Sequence, residues 1–170
     1  MRDALILAND CCVPNGILHL SRIFQLFMLK GISPLLTADL LKILMEMGHG
    51  DEIVLADANF PAASHARKLV HCAGSGVPEL LEAVLALFPL DSYVSDPVSL
   101  MDLVPGDSYQ PTIWATYRGI VSRIQPDAGI AKLERYAFYE RARAAHAIVA
   151  TSETSLYANL ILKKGVVRVE

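Results

Sequence analysis

The chain has little charge, few cysteines and no long apolar run, and each shortage excludes a class of protein. Charged residues make up 19% of its 170 residues, against 53% hydrophobic. No stretch approaches the roughly 20 apolar residues that span a bilayer, so no membrane partner is expected. There is no block of lysine or arginine, and the net charge is −3. Both argue against binding a nucleic-acid backbone. The three cysteines do not make a disulfide framework: Cys11 and Cys12 are adjacent and Cys72 stands alone. A reduced, cytoplasmic compartment is the expectation. Cys-x-x-Cys and His-Glu-x-x-His are both missing. The five histidines and the acids show no metal-ligand spacing, so no metal is implied. There is no P-loop, and Gly74-Ser75-Gly76 lacks the rest of a dinucleotide fingerprint. A nucleotide-binding module therefore has only the α/β pattern in its favour.

What the chain does have is the length of one domain and an apolar excess that a small domain cannot hide alone. Buried contacts between subunits follow as an expectation. Residues 1–27 read apart from the rest. Ala4 to Ala8 is too short for a secretory core. The segment reads as a disordered extension, or as the product of a start upstream of Met28, with the organised domain at 28–170.

From Met28 onward, strands and helices alternate. Leu40, Leu41, Leu44 and Met47 recur at helical spacing behind a Thr37 cap. Glu52 to Ala56 is a short apolar strand ending at Asp57, and Leu69 to Cys72 is a weaker one. Pro78 opens a helix running to Phe88. A strand is expected over 98–104, a helix over 112–124, a strand over 131–134 and a helix over 136–145. Short strands at 147–150 and 160–162 flank a polar turn. The alternation predicts a single-domain, three-layer α/β/α sandwich with a mostly parallel sheet.

In such folds ligands gather where strands end. His49 and Asp57 flank the first strand at opposite ends, well over ~10 Å apart along the chain. They share a site only if the Gly48-His49-Gly50 loop folds back or a neighbouring subunit intervenes. On pattern alone, a histidine between glycines is more often an ordinary loop residue, and Asp57 equally suits a cap for the turn at Phe60-Pro61. Arg135 and Tyr139 are four apart and share a helix face; the blander reading is a solvated face. Tyr157 and Asn159, placed in the last strand, point to one side by its period of two. A phenol beside an amide suits sugar hydroxyls, and also suits an edge strand.

Five runs carry a resemblance beyond these patterns: Glu46 to Pro61, Pro89 to Tyr93, Met101 to Pro105, Phe138 to Ala142, and Tyr157 to Gly165. In order and in register, over about residues 28–167, they resemble the L-fucose mutarotase / D-ribose pyranase family. The Asn59-Phe60-Pro61 and Met101 to Pro105 forms look more like the animal branch. Residues 108–130 match loosely, through Trp114 and Tyr117. The resemblance implies a cofactor-free isomerase that interconverts the α and β anomers of L-fucose. It also implies a homo-oligomer with sites shared between subunits, as in the ring-shaped bacterial relatives. His49 matches the proton donor, Tyr139 a site tyrosine, and Asp57, Asp91 and Met101 substrate contacts. Tyr157 and Asn159 match a pair lent across a subunit interface. Arg135 falls where the ribose enzymes carry a histidine, which looks like the fucose branch.

The chemistry agrees. Opening a hemiacetal needs groups that exchange protons near neutral pH, and histidine is the natural one. Tyr139, one turn from cationic Arg135, is the candidate partner. Carboxylates orient sugar hydroxyls, and Met101 offers an apolar wall for the methyl group of a 6-deoxy sugar. The competing readings are a D-ribose pyranase-like enzyme and a monosaccharide-binding protein without catalysis.

Overall fold

Thr37 starts the first helix because its hydroxyl accepts the Leu40 N–H, one of the donors a helix start leaves unpaired. In the computed structural model, which describes residues 29–167, that helix, α1, spans Ala38–Glu46 and buries Leu40, Ile43 and Leu44. The reading of residues 1–27 falls outside the described range. Strand β1 (Glu52–Ala56) follows, then α2 (Ala62–His65) and β2 (Leu69–Cys72). Helix α3 (Val77–Leu85) has Pro78 in its first turn. The remainder is β3 (Val98–Met101), α4 (Ile113–Ile124), β4 (Ile130–Leu133), α5 (Arg135–Ala144), β5 (Ala147–Thr151) and β6 (Leu160–Lys163).

Two cores sandwich the one sheet. Ile53, Leu55, Val149, Leu160 and Leu162 pack with α1, α3 and α4. Val54, Ala56, Ile148 and Ile161 pack with Phe60, Ala62, Phe138 and Ala142 from α2, its approach and α5. The period of two along each strand sends alternate residues to opposite layers, so the expected three-layer α/β/α arrangement holds. Among the described residues no helix is long and apolar enough to cross a membrane.

The sheet is mixed, where a mostly parallel one was expected. Its order is β2-β5-β1-β6-β3-β4. β1 pairs parallel with β5 but antiparallel with β6, and β6 is antiparallel to β3 as well. The reason is the short link 152–159 between β5 and β6. A parallel return needs a crossover of about a dozen residues or more. The chain therefore crosses the carboxyl end of β1 and comes back antiparallel on its other side. The element ends that differ most from expectation are those of β3, which stops at Met101, and α3, which stops at Leu85; several others shift by one residue. Helix α2 is one turn long and carries no periodic signal.

At the opposite end of β1, Gly165 is pressed against the 89–91 segment. Its N–H donates to Pro89 O at 2.7 Å, and a Cβ there would lie 2.5 Å from Leu90 O and 3.0 Å from Asp91 Cα. Gly165→Ala is expected to cost about 1–3 kcal/mol. A thermal melt should show it, at about 2–4 °C lost per kcal/mol.

Candidate active site

The 152–159 link decides the site. Because it must pass over the end of β1, it lays Asn159 against Asp57. The Asp57 N–H donates to Asn159 Oδ1 at 2.9 Å, and Asn159 Nδ2 donates to Asp57 Oδ2 at 2.7 Å. This two-point clasp settles which way the amide faces. Asp57 Oδ1 accepts the Asn59 N–H at 3.0 Å, so the residue also caps its turn, as the blander reading held. Asp57 and Asn159 are both only 5% exposed. Burial pushes the Asp57 carboxyl above the ordinary aspartate value of 3.8, against the opposing pull of its hydrogen bonds.

Tyr157 reaches the same place by a different route from the one expected. The strand begins only at Leu160, so the period of two does not apply. Tyr157 instead adopts a left-handed conformation, φ 58°, which is uncommon without glycine. Trp114 Nε1 donates to Tyr157 O at 2.9 Å, and the Tyr117 hydroxyl donates to Ala158 O at 2.8 Å. Two aromatic side chains of α4 thus hold the turn. Burial raises the Tyr117 phenol above its ordinary range, so the hydroxyl keeps its proton and remains a donor.

A cavity of about 260 Å³ opens here. Asp57, Asn159 and Tyr157 line it, with Arg135 and Tyr139 from α5 and Met101 from the end of β3. Phe60, Val104 and Leu156 add apolar wall, and Asn59 and Asp107 add polar groups. Its size is below the roughly 300–1,000 Å³ of drug-sized sites, which suits a single sugar ring. Tyr139 is set edge-on against Phe60 (5.6 Å between ring centres) and His65 (5.4 Å). Arg135 lies within the cavity wall, but its guanidinium donates to the Tyr136 hydroxyl at 3.0 Å. Asp107 was not legible in the sequence, where it lies in the connection after the strand expected over 98–104.

His49 and Asp91 do not line this cavity. They meet each other at the amino end of β1, with His49 Nε2 3.3 Å from Asp91 Oδ1. The His49 loop is pinned there: Gly50 N–H donates to Lys164 O at 2.8 Å, and Gly48 N–H to Asp51 Oδ2 at 2.8 Å. Asp91 is buried and also accepts the Tyr93 N–H at 2.9 Å. That bond, and then His49, hold its carboxyl below the ordinary value. An ionised Asp91 only accepts, so it orients Nε2 of His49 as the protonated nitrogen. Nδ1 has no partner among the described residues, and the side chain is 48% exposed. The resemblance implied that Tyr157 and Asn159 come from a neighbouring subunit. Here both join Asp57 of their own chain, and the residue standing apart is His49. Among the described residues no group of three or more His, Cys, Asp or Glu is placed to hold a metal ion.

Residues 30–167 match the RbsD / FucU transport protein family. The chain is 52% identical over 144 residues to the human fucose mutarotase, covering 81% of this chain and 94% of that protein. The crystal structure of the fucose mutarotase from Streptococcus pneumoniae, in complex with L-fucose, superposes with a TM-score of 0.80. It is 57% identical and covers 82% of this chain and 100% of that one. Bacillus subtilis RbsD, complexed with D-ribose, shares the fold with a TM-score of 0.63 at 21% identity, covering 83% of this chain and 100% of that one.

Proposed function

The chain belongs to the RbsD / FucU transport protein family, and from that premise we propose that it interconverts the α and β anomers of L-fucose by acid/base ring opening and closure. The observation that carries the reading is the cavity at the carboxyl end of β1. It gathers two carboxylates, two amides and two phenols around an apolar wall, in a chain 57% identical to a fucose mutarotase that holds L-fucose.

In the reaction a base takes the proton of the anomeric hydroxyl while an acid protonates the ring oxygen. The C1–O5 bond breaks, the aldehyde rotates, and the ring recloses on its other face. Nothing is oxidised or reduced, so proton transfer by side chains suffices and no cofactor is invoked. Asp57 and Asn159 orient hydroxyls on the buried side, and Tyr157 contributes from the rim. Met101, with Phe60 and Leu156, forms the surface against which a 6-methyl group gains from burial. The hydroxymethyl group of a non-deoxy sugar would be left unpaired there. Tyr139 is one proton-transfer group and His49 the other.

His49 takes part through a second copy. Five strand residues at about 3.3 Å each separate it from the cavity within one chain. Exposed apolar side chains border both places: Tyr109, Tyr136 and Leu156 by the cavity, Tyr93 and Val94 by His49. A homo-oligomer that seats the His49 edge of one protomer on the cavity of the next covers both sets and completes the site. The cytoplasm is the proposed compartment, consistent with a buried free thiol at Cys72.

Saturation-transfer NMR on the anomeric protons of L-fucose, with D-ribose run alongside, tests the reading. Transfer between α and β signals well above the buffer control is expected for L-fucose. Acceleration for D-ribose alone would favour the pyranase reaction. Binding without acceleration would leave a sugar-binding protein.

The raised Asp57 pKa adds a pH signature. Ionised, Asp57 accepts sugar hydroxyls more strongly than the protonated acid, which keeps less acceptor capacity. As pH falls, KM for L-fucose should therefore begin to rise at a pH above the ordinary aspartate value of 3.8. The same exchange measurement, corrected for the buffer, from about pH 7 to about pH 4 reads this. Stability responds with the opposite sign. The folded state holds this proton more tightly than the unfolded state, so Asp57's own contribution to stability rises as pH falls through that window.

A further inference from the structure

The loop 104–109 wraps the Tyr157 phenol on three sides. Its hydroxyl donates to Asp107 Oδ2 at 2.5 Å. The Val104 N–H approaches the Tyr157 phenol oxygen at 3.5 Å. The Tyr109 ring stacks on the Tyr157 ring, 6.0 Å between centres at 26°. Asp107 is itself held: its Oδ1 accepts the Tyr109 N–H at 2.9 Å, and its own N–H donates to Val104 O at 3.0 Å. The loop therefore presents a fixed acceptor to a phenol that already stands in a left-handed turn.

We propose that Asp107 is a positioning residue that claims the Tyr157 proton and so makes this phenol a hydrogen-bond acceptor toward the sugar. A phenol has one proton to donate. With that proton committed to a carboxylate, the oxygen has only lone pairs left to offer, and a sugar hydroxyl must donate to it. Tyr157 is thereby removed from the acid side of the reaction, which leaves proton donation to His49 or Tyr139. The polarity also selects. A ring carbon that presents a hydroxyl to Tyr157 gives the phenol oxygen a short donor, whereas one that presents only hydrogen leaves it with the long Val104 N–H contact alone. The electrostatics agree with the geometry. The Tyr157 bond holds Asp107 below the ordinary carboxylate value, and Asp107 raises the Tyr157 phenol. The fucose reading supplies only the identity of the sugar; the pairing of the two side chains stands without it.

The test uses the full chain with Asp107→Asn, Tyr157→Phe and the double variant. Carbon-13 label at tyrosine Cζ reports each phenol's ionisation, and the resonance missing from Tyr157→Phe assigns Tyr157. In Asp107→Asn the assigned phenol should ionise at lower pH, because a neighbouring negative charge and acceptor is gone. The amide also donates where the carboxylate accepted, reversing the phenol's polarity. KM for L-fucose should rise about tenfold, with kcat changed less than about threefold. In the Tyr157→Phe background, Asp107→Asn should add no more than about twofold. An unmoved titration overturns the proposal. So does an effect of Asp107→Asn that persists undiminished without the phenol, since Asp107 would then touch the sugar itself. If the unaltered chain fails to exchange L-fucose, the functional reading falls, while the titration still decides the pairing.

Discussion

Replacing His49 with alanine is expected to lower L-fucose anomer exchange by about a hundredfold or more while the protein stays folded. The magnitude is that of a positioned acid/base group, roughly 10²–10⁴. The tolerance follows from the surroundings. His49 is half-exposed, and its contacts are the 3.3 Å pairing with Asp91 and an edge-on approach to Tyr93 at 5.5 Å. The loop is held through its backbone, by Lys164 O and the Asp51 carboxylate, so it does not depend on the imidazole. Asp91 keeps the Tyr93 N–H when the ring is gone. The stability cost should stay within about 1 kcal/mol. Saturation transfer gives the rate and a thermal melt checks the fold. An unchanged rate would take His49 out of the chemistry.

Mixing two inactive variants should restore activity. His49→Ala keeps the cavity but cannot supply the imidazole to its neighbour. Asp57→Ala keeps the imidazole but loses the carboxylate that orients the sugar. Where an Asp57→Ala protomer lends His49 to the cavity of a His49→Ala protomer, a complete site forms. Random co-assembly makes about one interface in four complete, so about a quarter of the unaltered rate is expected from the co-expressed pair. Each variant alone should stay near the buffer control. Asp57→Ala leaves the Asn159 amide without its carboxylate partner, at a cost of about 1–3 kcal/mol. A melt must therefore show it folded before mixing. If the mixture remains as inactive as its components, His49 does not act across copies, and the shared-site reading fails.

Much of the local structure was legible because local rules govern it. Thr37 announced α1 by its cap, and β1 ran from Glu52 to Ala56 as its apolar run indicated. Arg135 and Tyr139, four apart on α5, do line one cavity. Five ordered runs pointed to the family that the comparison then matched over residues 30–167. The candidate residues were therefore nameable before their places were known.

Their places were not legible, because contacts distant in sequence set them. The direction of β6 followed from how little chain joins it to β5, together with which strand that chain had to cross. Tyr157 faces the cavity through a left-handed turn pinned by Trp114 and Tyr117, some forty residues away. Asp107 entered only because its loop closes on Tyr157. The sequence by itself determined which elements form, the one-turn α2 excepted, which family they belong to and which side chains are available for chemistry, since spacing, caps and motifs are written along the chain. Only the tertiary structure decided that Asp57, Tyr157 and Asn159 meet within one chain while His49 stands at the far end of β1. The antiparallel return of β6 carries one group over that strand's carboxyl end, and a five-residue strand is too long for the His49 loop to bridge.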